Sequence, residues 1–246
     1  MTAIIEKIML GTRKITVLLP PAYGKEKTNF AVAYIHDGGD LLYMQLATMT
    51  ELMAGGKLAQ IIFVGIAAEQ RLDDYTPWPA SALAAGYRDF GGKGNQYLAF
   101  VVNELKPHID RQYRTCIGPE HTGIIGASLG GLISFYALYL YPEVFGKFGS
   151  ISGSFWYEGF IEFMKENQLM NKKSRIYMDV GSREGLGKNN IQREMIMRTG
   201  KAYKLLLEQG LPAANCKYCV SEGDTHGQLY FMQRFPSALN WLYPLK

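Results

Sequence analysis

The chain has 246 residues, enough for one large α/β domain with a substantial buried core. Hydrophobic residues make up 48% and charged residues 20%, ordinary proportions for a soluble globular protein. The net charge of +4 comes from scattered Lys and Arg, whereas nucleic-acid binders gather theirs on one element or face, so no nucleic-acid partner is expected.

Residues 1–10 carry Glu6 and Lys7 within the first apolar stretch and lack the order of a secretory leader. No run of about 18 apolar residues offers a membrane span. A cytoplasmic protein without a membrane partner is expected, and an odd count of three cysteines suits a reducing compartment. Cys216 and Cys219 form a C-x-x-C inside a strand-like run. Residues three apart on a strand point to opposite faces, so neither a zinc site nor a redox pair is expected there.

Apolar runs alternate with amphipathic stretches along the chain, the pattern of βαβ units and a mainly parallel sheet. Residues 14–19 read as an early strand stopped by Pro20 and Pro21, and residues 30–35 as a buried strand. A polar turn, His36-Asp-Gly-Gly-Asp40, follows, then a helix over 41–53 ended by Gly55 and Gly56, then a strand over 60–67. Residues 68–94 show no period and are rich in Gly, Pro, Asp and aromatics; so long a loop in a compact domain is usually functional. Helical spacing of Leu98, Val101, Val102 and Leu105 predicts a helix over 95–109. Next come a strand over 121–126, a helix over 128–141, a strand over 146–152 and an aromatic excursion over 154–163. A strand over 175–180, a long helix over 191–209, a last strand over 215–221 and a helix over 229–241 complete the chain. With no repeat or linker, a single domain over 1–246 is the expectation.

Gly126-Ala-Ser-Leu-Gly130 matches the nucleophile elbow G-x-S-x-G. The motif needs a strand before it and a helix after it, and the apolar runs on either side supply both. Ser128 would then stand at a helix start, where free N–H groups and the positive dipole end favour developing negative charge. Where this elbow carries a catalytic serine the chain order is Ser, acid, His, and of His36, His108, His121 and His226 only His226 follows Ser128. The acid falls between them: Glu184, on the turn beyond Gly181, is preferred, with Asp179 on the preceding strand as the alternative. The Leu129 N–H and a second from the 36–39 turn, Gly39 first and Gly38 second, are the candidate oxyanion donors. Arg71, Trp78 and Trp156 are candidate substrate-binding residues, alongside Tyr75, Phe155 and Tyr157 near the same sheet edge. Arg71 could equally pair with Asp73 or Asp74.

The chain resembles the Putative esterase group of α/β-hydrolases, which includes enterochelin-esterase-like enzymes and esterase D relatives. The likeness runs through Val17-Leu-Leu-Pro-Pro-Ala-Tyr23, Tyr34-Ile-His-Asp-Gly-Gly39, Arg71-Leu-Asp-Asp-Tyr-Thr-Pro77 and Glu104-Leu-Lys-Pro-His-Ile-Asp-Arg-Gln-Tyr-Arg114. It continues through Ile125-Gly-Ala-Ser-Leu-Gly-Gly131, Tyr141-Pro-Glu-Val-Phe145, Ser152-Gly-Ser-Phe-Trp156 and Gly223-Asp-Thr-His226. The turn departs from the group's frequent His-Asp-Gly-Gln-Asn, and the extra N-terminal domain of dedicated siderophore-trilactone esterases has no counterpart. The resemblance implies the α/β-hydrolase fold, with helices on both faces of the sheet, and a serine esterase acting on a small carboxylic ester without metal or organic cofactor. Siderophore or carbohydrate acyl esters, acyl transfer and, last, a silent binding scaffold are the alternatives. Nothing in the sequence fixes the oligomeric state.

Overall fold

The computed structural model describes residues 4–245; residues 1–3 and 246, to which the leader and domain expectations also extend, lie outside them. Eight strands form one sheet: β1 (Ile4–Leu10), β2 (Arg13–Leu19), β3 (Ala31–Ile35), β4 (Ile61–Ile66), β5 (Thr122–Ala127), β6 (Lys147–Ile151), β7 (Arg175–Gly181) and β8 (Cys216–Ser221). Their order is β1-β2-β4-β3-β5-β6-β7-β8. β2 runs antiparallel to β1 and β4, and every other pairing is parallel, so this is the α/β-hydrolase fold with a mixed edge. β4 and β5 are buried at every position, as continuous apolar strands covered on both faces must be. β1, which the sequence reading did not separate as a strand, is an exposed edge bearing Glu6 and Lys7, charges that discourage further pairing.

One face carries α2 (Gly94–Phe100, continued by Lys106–Gln112), α3 (Leu129–Leu140), α4 (Phe160–Glu166) and α5 (Met195–Glu208) over a core that includes Val64, Leu132 and Phe148. The other carries α1 (Leu46–Ala54) and α6 (Gln228–Leu242) over Ile35, Phe63 and Phe235. Residues 101–105 join the two parts of α2 as a wide π-turn. Pro107 lies just beyond it and has no N–H to return to the 103 carbonyl, a common cause of such a turn. α6 runs through Pro236 without a break, and the carbonyl of Met232 that the proline leaves free accepts from the Gln45 side chain. Gln45 is also where the helix expected over 41–53 breaks: a short turn, Asp40–Tyr43, precedes α1. The predicted 191–209 helix begins instead as a tighter turn over Ile191–Glu194, capped by the Asn190 side chain.

The long 68–94 segment is ordered by two buried carboxylates. Asp74 takes Arg13 at 2.7 Å, and Asp73 takes Arg88 at 2.7 Å and Lys93 at 3.2 Å. Both carboxylates sit on the short helix Arg71–Asp74, and a two-strand ribbon of Pro79–Ala80 with Phe90–Gly91 belongs to the same segment. The sheet changes its direction of growth at β3, between β4 and β5, which opens a crevice at the carboxyl ends of β3 and β5. The 36–40 turn and Ser128 face that crevice. No described helix is long and apolar enough to cross a membrane.

Candidate active site

β5 ends at Ala127 and α3 begins at Leu129, so the whole reversal falls on Ser128, held at φ 56° and ψ −120°. Strain of this kind is kept only where surroundings over-determine it. Ser128 N–H donates to the Ile151 carbonyl at 3.0 Å, and the Ser128 carbonyl accepts from Leu132 and Ser154 at 3.0 and 3.1 Å. The small residues of the motif have a packing reason: a Cβ on Gly126 would lie 2.5 Å from the Gly130 backbone. The hydroxyl is left at the mouth of the crevice. Ser128 Oγ lies 3.0 Å from His226 Nε2, and His226 Nδ1 lies 2.7 Å from Glu184 Oε2. With Nδ1 protonated, the ring donates to Glu184 and accepts from Ser128.

Glu184 is almost wholly buried, 2% exposed, which alone would raise its pKa. Bonds from His226, Ser152 and Gly181 outweigh the burial and hold the carboxyl below its ordinary range. The Gly181 N–H reaches Oε1 at 2.8 Å, and the Ser152 hydroxyl donates to the same oxygen. Asp179, the alternative acid, sits on β7 and turns to Arg234, whose Nη1 is 2.6 Å from Oδ1. The Ser152 N–H holds that oxygen at 3.0 Å. Burial raises the Asp179 pKa to about 6 even against the Arg234 charge. The structure thus brings Glu184, not Asp179, to the imidazole. The physical reason is position: the side chain of a mid-strand residue is fixed to one sheet face, and the turn beyond Gly181 is not.

Arg234 is the residue that sequence reasoning missed. It projects from α6 with 7% exposure, bonds Ser152 Oγ at 2.8 Å, and meets Glu184 Oε1 at 3.5 Å and Asp224 Oδ2 at 3.4 Å. One guanidinium therefore ties β7, the acid's turn and the loop that carries His226. Ser152, at φ 49°, is the other missed residue, and it touches both carboxylates. An Arg within an amphipathic helix carries no local signal of burial, so only the fold exposes either role.

On the oxyanion side, the Leu129 N–H belongs to the first turn of α3, where no intrahelical acceptor exists. The opposite turn requires a correction. Gly39, the first choice, sends its N–H to the His36 carbonyl at 3.2 Å, and Asp37 sends its own to the Tyr75 hydroxyl at 2.8 Å. Gly38, at φ 69°, has no such turn bond among the described residues, so Gly39 offers only a shared donor. Beneath the turn His36 is buried between the Tyr97 hydroxyl at 2.7 Å and Ser134 Oγ at 3.1 Å. Burial first, then the Arg71 charge, lower its pKa from the usual 6.5 to about 3, so this ring is neutral scaffolding. Gly65 on β4 lies under the same turn, where an added Cβ would stand 2.3 Å from the Gly38 carbonyl oxygen.

Two other expectations change. Arg71 pairs with neither Asp73 nor Asp74: Nε lies 2.7 Å from Asp37 Oδ1, and Nη2 reaches the Ala127 carbonyl at 3.4 Å. It brackets the 36–40 turn against the bend at Ser128 while also lining the cleft. Trp78 is not on the cleft wall. Its indole donates to the Glu158 carbonyl at 2.9 Å, and its ring packs among Tyr136, Phe160 and Phe163. The aromatic packing there outcompetes exposure at the loop surface. Trp156 does line the cleft, whereas Phe155, Tyr157 and Tyr75 are core.

The cleft holds two cavities. One of about 450 Å³ adjoins Ser128 and Leu129 and is walled by Leu72, Leu83, Phe90 and Trp156. The other, of about 250 Å³, adjoins His226 and Thr225. Among the described residues no group of three His, Cys, Asp or Glu side chains is placed to hold a metal ion.

A sequence profile of the family described as "Putative esterase" matches residues 7–242. The uncharacterized protein YbbA of Bacillus subtilis is 39% identical over 233 residues, 95% of this chain and 93% of its own. The iron(III) enterobactin esterase of Escherichia coli is 33% identical over 122 residues, 46% of this chain and 26% of the relative. Among solved structures, the IroE-like serine hydrolase of Shewanella oneidensis superposes with a TM-score of 0.78 at 20% identity, covering 97% of this chain and 79% of that one. The enterobactin esterase of Shigella flexneri, solved in the presence of enterobactin, superposes with a TM-score of 0.77 at 18% identity; the match covers 98% of this chain and 58% of the other. At such identities the superpositions speak for a common fold.

Proposed function

Since the chain belongs to the Putative esterase family and so to enzymes that act on esters, we propose that it is a serine carboxylesterase working through an acyl-enzyme. The observation that carries this reading is the continuous chain Ser128 Oγ to His226 at 3.0 Å and His226 to Glu184 at 2.7 Å, at the mouth of a cleft. His226 Nε2 takes the proton as Ser128 attacks the ester carbonyl. Glu184 keeps the ring in the reactive tautomer and stabilises the imidazolium. The tetrahedral oxyanion is held by the Leu129 N–H together with the Gly38–Gly39 turn. The imidazolium then protonates the leaving alcohol, and a water activated by the same ring releases the acid. Cys216 is a buried thiol and Cys219 a half-buried one, in keeping with a reducing, cytoplasmic setting.

Ser128→Ala tests the reading. Turnover of short p-nitrophenyl esters should fall on the order of 10⁴–10⁶-fold, and labelling by a fluorophosphonate should vanish, with the thermal melt unchanged. Activity retained in that variant would refute the assignment. A second reading, hydrolysis of a siderophore trilactone, is favoured by the match to the E. coli iron(III) enterobactin esterase. Release of linear products from enterobactin, at a kcat/KM above that for simple aryl esters, would select it.

A further inference from the structure

The two cavities meet at the proposed triad, one beside Ser128 and the other beside His226, and the pairing of their charges differs. In the larger one, beside Ser128 and Leu129, both arginines are already paired: Arg71 is bidentate to Asp37, and Arg88 Nη2 meets both oxygens of Asp73. Leu72, Leu83, Phe90 and Trp156 form its apolar wall, and Lys188, Asn190 and Gln192 line it as well. In the smaller one, beside His226, Arg183 and Lys188 have no carboxylate partner among the described residues. Three nearby acids are turned elsewhere: Glu184 onto His226, Asp224 onto Arg234, and Glu194 onto Arg198 at 2.8 Å. Thr225 adds a polar group to the same wall, and Gln192 and Lys188 line the larger cavity too, so they stand at the junction.

The catalytic geometry assigns the sides. The leaving oxygen must meet the His226 imidazolium, so the alcohol half of the ester extends toward the cavity that His226 lines, and the acyl half lies over Leu129 and the apolar walls. We infer that the smaller cavity is an anion subsite for the alcohol half, and that the substrate is an ester of an apolar or aromatic acid with an alcohol that carries a carboxylate. Arg183 and Lys188 are its specificity-determining residues. This rests on the serine esterase reading above. The bond broken is the acyl–oxygen bond: His226 returns the Ser128 proton to the departing alkoxide or phenoxide, and the carboxylate of the alcohol stays ionised throughout, paired with Lys188 and Arg183. The charge does not take part in bond making. It raises the population of correctly placed substrate, an effect that added salt weakens.

A matched pair of esters reads this directly: phenyl butyrate, and the butyrate ester of 3-hydroxybenzoate, which adds one carboxylate to the leaving group. In the wild-type protein at low salt, kcat/KM for the charged ester should exceed that for the neutral one by about tenfold, mostly through KM. The ratio should fall toward one in Arg183→Ala/Lys188→Ala, should drop below one in Lys188→Glu, and should shrink as salt rises. Glutarate monophenyl ester, with its charge on the acyl side, should show no such preference. A wild-type ratio of one, a ratio unmoved by all three substitutions, or a preference for the acyl-side charge would overturn the subsite while leaving the esterase intact. Failure of the wild-type protein to cleave either butyrate would instead overturn the esterase reading, and the subsite with it.

Discussion

Replacing Arg234 by methionine should cost stability first and activity second, and the structure allows the amounts to be set. The guanidinium is 7% exposed and answers three carboxylates, of which Asp179 depends on it most: at 0% exposure Asp179 has Nη1 at 2.6 Å as its counter-charge, beside the neutral Ser152 N–H and Tyr177 hydroxyl. Methionine fills a similar volume but leaves that carboxylate buried without its counter-charge. Breaking a buried pair in this way costs about 3–5 kcal/mol. In a chain of this size that corresponds to a fall in melting temperature of roughly 10 °C. The deficit should depend on pH, with a definite sign. Loss of Arg234 pushes the folded-state pKa of Asp179 further above its present value of about 6, so the folded variant holds an extra proton over a wider range. Stability relative to wild type should therefore decline as pH rises from 6 to 8. Urea melts of wild type, Arg234→Met, Asp179→Asn and the double variant, at pH 6 and 8, measure it. The double variant should recover part of the loss, because the amide needs no counter-charge. An Arg234→Met protein within about 1 kcal/mol of wild type at pH 8 would refute the account. Activity should drop on the order of tenfold to a hundredfold, since the turn of Glu184 and the loop of His226 lose their common anchor.

Three further outcomes follow from the same geometry. Glu184→Gln should lower kcat on the order of 10³-fold by holding the imidazole in the wrong tautomer, and Asp179→Asn far less; the reverse order, in p-nitrophenyl ester kinetics, would move the acid's role to Asp179. Gly65→Ala places a methyl against the Gly38 carbonyl at 2.3 Å and should lower kcat with little change in KM by displacing the oxyanion turn; wild-type kcat in a folded variant would discount that turn. His36, lowered to about 3, contributes stability that is lost as pH falls below 6.5, whereas Asp179, raised to about 6, makes stability fall as pH rises from 4 to 6. The two slopes oppose each other between pH 4 and 6, each up to about 1.4 kcal/mol per pH unit. Asp179→Asn should therefore steepen the loss of stability toward acid over that window, and an unchanged slope in urea melts would contradict it.

The sharp strand-to-helix bend at Ser128 was legible in the chain, because G-x-S-x-G between an apolar run and a helical one is a local pattern with a local cause: backbone crowding at Gly126. The order of buried strands was legible too, since runs covered on both faces are apolar throughout. Chain order singled out His226, and the loop position of Glu184 ranked it ahead of Asp179, but the contact between them spans 42 residues and needed the folded chain. The remaining contacts exist only in the folded chain. Folding drew Trp78 into an aromatic cluster, engaged Arg71 with Asp37, committed the Gly39 N–H to His36, and set Arg234 among three carboxylates. In each case several partners compete for one side chain or N–H. Burial and geometry settle that competition over distances in the chain at which local sequence carries no preference.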